Sequence, residues 1–362
     1  MIFLVGSALV LSWVAGYLLL GGARRVASPK GSSPIPRVSL IVPARDEELN
    51  LPRLLASLGS QSLAPHEIIV VDDASKDRTA EIARSMGARV VASRPLPEGW
   101  TGKNWACHQG FEASQGELLF FVDADCYFEP EGYVSILEDF SNLIREQPTA
   151  LSILPFHRIE RAYENLSLFF NLIMAAAAGG FGRVGKARLF GQSLVVTRDV
   201  YQRAGGHFSV REHVLENFFM SARFDEVGAR CVCLAGEGKL AFRMFPAGFA
   251  QLLEGWTKAF ARGARGTQPA VLALSILWLF GFANAPIALL VACVFASPEL
   301  FVVGLVGSLM FALQLRFFAR KIGNYHEWAF WSYPPFWIFY QAVFARSALL
   351  GPQQKTWRGR SL

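Results

Sequence analysis

Asp123 and Asp125 stand one residue apart at the end of an apolar run, Leu118-Leu-Phe-Phe-Val-Asp-Ala-Asp125. Consecutive apolar and aromatic residues without a helical period read as a buried strand. Side chains alternate along a strand, so both carboxylates point to one side where the strand frays into a loop. Such a pair suits Mg²⁺ or Mn²⁺, hard cations that take oxygen ligands and share phosphate oxygens. On its own the pattern more often marks a solvated turn or a helix cap.

The upstream elements change that balance. Arg37-Val-Ser-Leu-Ile-Val-Pro-Ala-Arg-Asp-Glu47 reads as an apolar strand broken by Pro43 and followed by a charged loop, with a helical pattern from Asn50 to Leu58. Glu67-Ile-Ile-Val-Val-Asp-Asp73 is a second buried strand ending in acids, and Ala74-Ser-Lys-Asp-Arg-Thr79 opens another helix. Arg89-Val-Val-Ala gives a short third strand and Leu118 to Val122 a fourth. Strands and helices alternating at these lengths predict an α/β fold with a mostly parallel sheet. Ligands of such sheets sit beyond the carboxyl ends of the strands, where every acidic cluster here falls.

Pro43-Ala-Arg-Asp-Glu47, Val71-Asp-Asp-Ala-Ser-Lys-Asp77, Gly102-Lys103 and Val122-Asp-Ala-Asp125 resemble, in this order, the motifs of family 2 glycosyltransferases. Pro95-Leu-Pro-Glu-Gly-Trp-Thr-Gly-Lys-Asn-Trp-Ala106 is narrower. It resembles the branch of carotenoid acid (4,4'-diaponeurosporenoate) glycosyltransferases and hopanoid-associated glycosyltransferases. Gly205-Gly-His207, Val214-Leu-Glu-Asn217, Glu254-Gly-Trp-Thr-Lys258 and Trp357-Arg-Gly-Arg360 extend the similarity over nearly the whole chain from about Arg37. The resemblance implies the Rossmann-like GT-A fold, a divalent cation, a nucleotide sugar such as UDP-glucose, and a lipid acceptor.

Composition adds a membrane. Of the 362 residues, 52% are hydrophobic, and the excess sits at the two ends. Ile2 to Gly21 is uncharged, long enough to cross a bilayer, and followed by Arg24, Arg25 and Lys30. A cleaved signal peptide would instead carry charge before its apolar core. Basic residues after the segment hold that side in the cytoplasm, so residues 1–22 read as an anchor with the N-terminus outside. The expected organisation is then a GT-A domain at 36–265, membrane segments at 270–350, and a basic cytoplasmic tail at 351–362. Within the second region Ala270–Ala296, kinked at Pro286, and Leu300–Leu315 are candidate spans. Trp328–Leu350 is a third, either spanning or re-entering, because Pro334, Pro335 and its aromatics suit an interface. Leu166–Phe181 reads as an interfacial or a buried helix.

The five cysteines form no framework, and Cys231-Val-Cys233 lacks zinc spacing, so both thiols are expected on one buried strand face. The net charge of +6 comes without a stacking motif and flanks apolar spans. A membrane surface, not nucleic acid, is the partner it fits.

By resemblance, Asp123 and Asp125 hold the metal on the donor diphosphate, making it a better leaving group. Pro43, Ala44, Glu47 and Asp73 line the nucleotide pocket, and Lys103 binds the donor. Glu47 and Asp77 also read as helix caps. Gly191, Gln192 and Trp256 border the acceptor, with core packing as the alternative for Trp256. Glu254-Gly replaces the Arg before Trp256 that processive synthases carry, which argues for a single transfer. Arg358 or Arg360 of the tail could reach the diphosphate or bind anionic lipid.

The catalytic segment departs from the family. Glu216-Asn217 stands where the family places Glu-Asp, and an Asn amide takes no proton near neutrality. Glu216 or Glu212 could take over, with His207 and His213 nearby; the acceptor could need no base; or the chain could bind donor without catalysis. A carboxylic acid acceptor, with a pKa of about 4.3, is already ionised at neutral pH and attacks unaided. An inverting transfer of one glucose to a carotenoid acid is therefore expected, with a hopanoid or other lipid as the alternative acceptor.

Overall fold

The structure, a computed structural model, describes residues 2–29, 31, 35–263, 267–350, 356–357 and 360–361. Two compact units divide the chain. One comprises residues 1–23, 158–186 and 245–353; the other comprises 24–157, 187–244 and 354–362.

The first unit is helical and apolar. It contains α1 (Ile2–Leu20), α6 (Leu168–Ala177), α9 (Phe249–Gly263), α10 (Pro269–Val294), α11 (Pro298–Ala319), α12 (Glu327–Trp331) and α13 (Tyr333–Leu350). Among the described residues three helices, α1, α10 and α11, are long and apolar enough to cross a membrane. Their packing is pinned by one buried amide. Gln314 on α11 accepts from Trp278 Nε1 of α10 at 2.8 Å and donates to Trp13 O of α1 at 2.7 Å. Gly16 makes room for it, since a Cβ there would lie 2.4 Å from Trp278 Nε1 and 2.8 Å from both amide atoms of Gln314. Gly16→Val is expected to cost about 1–3 kcal/mol by overpacking. Thermal unfolding in detergent measures it, with Gly6→Val as control because its added carbon meets open space. A midpoint no lower than the control's would refute the pin.

Trp328–Leu350 does not form one long span. It breaks at Ser332 into α12 and α13. The start of α13 lies beside the middle of α10, where Trp337 Nε1 donates to Leu279 O and Tyr333 packs edge-on against Phe282. Its end lies beside α9, where Ser347 Oγ donates to Thr257 O at 2.8 Å. Of the two readings of Leu166–Phe181, the buried one describes α6: Leu168, Phe169, Phe170, Leu172, Ala175 and Ala176 are all inaccessible.

The second unit carries strands β1 (Val38–Ala44), β2 (Glu67–Asp72), β3 (Arg89–Ala92), β4 (Leu118–Val122), β5 (Cys126–Phe128), β6 (Thr149–Leu154), β7 (Phe156–His157), β8 (Ser193–Thr197), β9 (Arg230–Ala235) and β10 (Leu240–Phe242). Its helices are α2 (Leu51–Gly59), α3 (Thr79–Ser85), α4 (Gly102–Ala113), α5 (Gly132–Glu146), α7 (Arg198–Arg203) and α8 (Glu216–Glu226). The main sheet has the order β3-β2-β1-β4-β8-β6-β9, and only β8 runs antiparallel to its neighbours. The chain steps outward from β1 to β3 and then returns to the other side of β1. This reversal opens a crevice at the carboxyl ends of β1 and β4.

One sheet face packs Leu40, Val42, Phe120 and Val195 against Ile136, Leu137 and Phe140 of the α5 side. On the other, Ile69 and Val71 meet Ala106 of α4. Gly110 brings α4 close: a Cβ there would fall 2.4 Å from Ile41 Cγ2. β5, β10 and β7 form a separate small sheet.

Pro43 does not break β1, contrary to the sequence expectation. The ladder to β4 ends at Ile41 while that to β2 continues through Pro43 opposite Val71. A strand end with a single neighbour tolerates a missing N–H. Residues 158–186 and 245–263 belong to the apolar unit and not to the sheet unit. The chain leaves the sheet twice to complete a helical core. Thr356–Trp357 pairs antiparallel with Arg360–Ser361, while Lys30, Lys355 and Arg358 lie outside the described residues.

Candidate active site

β4 ends at Val122 and the acidic pair follows at once. Asp123 N–H donates to Gln192 O at 3.0 Å, and Cys126 N–H donates to Asp123 O at 3.1 Å, closing a tight turn. Both carboxylates are half-buried, so they face the crevice and not the core.

Lys103 reaches this turn from the start of α4, where Thr101 Oγ1 accepts from Asn104 N–H. Its Nζ lies 2.7 Å from Asp123 Oδ1, 2.7 Å from Glu216 Oε1 and 2.9 Å from Gly191 O. Burial works against the ammonium, but Asp123 and Glu216 hold its pKa well above the ordinary value. Glu216 is 2% exposed, and its carboxyl is pushed up by burial and by Asp123, with Lys103 opposing. The result is a cation between two carboxylates, one turned to the crevice and one buried. Asn104 anchors this helix start by donating to Val210 O and His213 O, at 2.8 and 2.9 Å.

The remaining acid–base candidates separate clearly. Glu212 is exposed and lies 3.6 Å from Arg211, outside the Lys103 cluster. His207 is buried, and its Nδ1 lies 2.7 Å from Tyr201 Oη, which already accepts the His207 N–H. The ring and the phenol share this hydrogen bond, and burial lowers the imidazole pKa to about 3. This is a neutral packing residue. His213 stacks on Phe219 at 4.0 Å. Asn217 turns inward: its Nδ2 donates to Phe190 O at 2.7 Å, Ser193 O at 3.3 Å and Gly191 O at 3.4 Å.

Across the crevice the loops after β1 and β2 are stitched together. Asp73 N–H donates to Ala44 O, and Arg45 Nη1 lies 2.8 Å from Asp73 O and 3.4 Å from its carboxylate. Glu47 N–H donates to Thr79 Oγ1, and the Glu47 carboxylate accepts from Asn50 at the start of α2. Asp77 accepts from Glu48 N–H and from both Thr79 donors. Burial opposes ionisation of Asp77, but these hydrogen bonds hold its carboxyl below the ordinary value. Asp77 thus caps the start of α3 and braces the loop after β1, while Glu47 bonds the Asn50 side chain and does not cap α2.

Pro43, Ala44, Asp73, Lys103, Asp123, Gly191, Gln192 and Glu216 all stand at this end of the sheet. Trp256 is a residue of the apolar unit, 2% exposed, stacked on Phe170 at 4.7 Å and donating to Ser167 Oγ. The core-packing alternative fits it. Arg45 and Asn104 were missed as supporting residues. Both lie inside motifs, but their partners are distant in sequence.

A divalent cation fits the acidic turn. Its two half-buried carboxylates flank the buried Ala124 directly after β4. Among the described residues no cluster of three or more His, Cys, Asp or Glu has metal-binding geometry. Two carboxylates with the other positions left to phosphate and water are typical of Mg²⁺ bound with a substrate diphosphate.

Comparison with known proteins agrees with this architecture. The profile described as Glycosyl transferase family 2 matches residues 39–148. A 4,4'-diaponeurosporenoate glycosyltransferase of Staphylococcus haemolyticus is 37% identical over 75% of this chain and 74% of its own length. The protein of that name in Staphylococcus aureus (strain MRSA252) is 32% identical over 86% of this chain and 83% of its own. The mannosyltransferase PcManGT from Pyrobaculum calidifontis, solved with GDP-Man and Mn2+, superposes with a TM-score of 0.58 at 16% identity. It covers 98% of this chain and 100% of its own. The fold is GT-A, and the chain belongs to glycosyl transferase family 2 as a glycosyltransferase.

Proposed function

We propose that this enzyme transfers one glucose from UDP-glucose, with inversion, to the carboxylate of a carotenoid acid or closely related polyisoprenoid acid. The observation that carries the reading is the site's lack of a base at position 217. Asn217 holds backbone carbonyls, while the buried Glu216 is ion-paired to Lys103. An acceptor that arrives ionised needs neither to accept a proton. The relatives named for 4,4'-diaponeurosporenoate support that choice of acceptor.

Asp125 and Asp123 would hold a divalent cation, which neutralises the departing diphosphate. Lys103 adds a fixed positive charge beside the same group, and Asp73 with the Pro43–Ala44 strand end borders the nucleoside. The acceptor carboxylate oxygen forms a bond to the anomeric carbon as the bond to UDP breaks and its electron pair leaves with UDP. No proton is transferred, and the product is a glycosyl ester.

Membrane placement follows from charge. The end of the apolar unit where α1 and α11 finish and α10 begins carries Arg183, Lys186, Arg316, Arg320 and Lys321. At the other end Glu299 is the only charged residue among those described. Basic residues mark the cytoplasmic side, which makes the protein multi-pass with its sheet unit in the cytoplasm. α13 begins at mid-depth of α10 and returns toward α9, so α12 and α13 form a re-entrant pair.

The test uses membranes containing the protein, UDP-glucose, Mg²⁺ or Mn²⁺, and a carotenoid acid beside the matched alcohol. The expected product forms from the acid and is cleaved by mild alkali, as an ester must be. Glucosylation of the alcohol alone, or an alkali-stable product from the acid, would overturn the reading.

A further inference from the structure

We infer that Asn217 is a positioning residue: it fixes the Phe190–Ser193 backbone that places Lys103 and Asp123, and it has no part in proton transfer. The inference rests on the reading that Lys103 and Asp123 serve the donor diphosphate.

Four polar side chains clamp this backbone. Ser152 Oγ exchanges hydrogen bonds with both backbone groups of Phe190, at 2.9 and 3.2 Å. Ser221 Oγ accepts from Leu189 N–H and donates to Asn217 O. Ser193 Oγ does the same for Ile153, accepting from its N–H and donating to its carbonyl. Asn217 supplies the fourth, through an amide nitrogen directed at the carbonyls of Phe190, Gly191 and Ser193. Its Oδ1 is buried and has no hydrogen-bond partner among the described residues. A buried acceptor without a partner is costly, so the side chain is kept for its donor end.

The clamped segment is what the site residues lean on. Gly191 O accepts from Lys103 Nζ, and Gln192 O accepts from Asp123 N–H. Asn217 therefore acts on both at one remove. An aspartate here has the same shape and the opposite polarity: its carboxylate would face three carbonyl oxygens. On this inference Asn217→Asp reverses the clamp and does not restore a base.

Wild type, Asn217→Ala and Asn217→Asp are compared for the KM of UDP-glucose, for kcat, and for hydrogen exchange across residues 189–197. Alanine removes the clamp and aspartate reverses it. Both should speed exchange in that segment and raise the donor KM, aspartate more than alanine, by about tenfold or more for the loss of one well-made buried bond. The acceptor KM should stay within twofold. A faster Asn217→Asp enzyme, or exchange unchanged in both variants, would overturn the inference. Faster exchange with an unchanged donor KM would also overturn it, since the clamp would then exist without serving the donor. The underlying reading is tested separately, because it fails if wild type itself transfers nothing from a nucleotide sugar.

Discussion

Asp125→Ala is expected to leave no more than about one part in a hundred of wild-type transfer. The side chain is half-buried in the turn between β4 and β5, so its loss removes little packing. What it removes is one of two carboxylates available to a divalent cation. Asp123 already shares its charge with Lys103, at 2.7 Å, and would be the weaker ligand of the pair. Removing one fixed electrostatic group that acts on a leaving charge typically costs about 10²–10³-fold. Initial rates at saturating Mg²⁺ or Mn²⁺, with thermal unfolding as the control for folding, decide the matter. Activity within threefold of wild type after chelation and metal restoration would sink the assignment.

How much of this could be read beforehand depends on where the determining partners lie. β4 matched its expected Leu118–Val122 limits because an unbroken apolar run has one interpretation in a sheet buried on both faces. The third strand at Arg89–Ala92 did so as well. Pro43 was misread because a proline's cost depends on which neighbours a strand has at that residue, and a sequence does not state its neighbours. The same limitation hid that residues 158–186 and 245–263, Trp256 among them, pack with the apolar helices. Their burial is against α10 and α13, Phe169 on Phe282, Phe170 on Tyr340 and Thr257 on Ser347. The acidic turn stood out only once the upstream strand ends were read with it, since Asp-x-Asp alone is a common turn or cap. Lys103 needed the resemblance, since nothing local shows that its ammonium reaches an aspartate 20 positions away. Asn217 was recognised only as a departure from the family. Its actual partners are backbone carbonyls 24–27 residues upstream, and no pattern of side chains announces a hydrogen bond to backbone.

Lys103→Met should both abolish transfer and unfold the site, in a way that pH separates. The ammonium bridges Asp123 and Glu216, each at 2.7 Å, and Glu216 is 2% exposed. Breaking a buried pair by removing one partner costs about 3–5 kcal/mol, because the other charge stays buried without compensation. Burial already raises the Glu216 pKa above 4.5, and Lys103 is the group opposing that rise. Without it the folded-state pKa climbs further. A group whose folded pKa is raised contributes its stability below the unfolded pKa and loses it as pH rises through the folded one. The stability deficit of Lys103→Met should therefore be largest at neutral and alkaline pH, and shrink as pH falls toward the ordinary Glu value. Lys103→Met with Glu216→Gln should recover most of the lost stability at pH 7 and none of the transfer, since the cation beside the diphosphate is still missing. Urea unfolding at several pH values, run beside rate assays on both variants, measures the two effects apart. A deficit that does not shrink as pH falls, or that Glu216→Gln leaves unrelieved, would show that Lys103 is not the partner of the Glu216 charge.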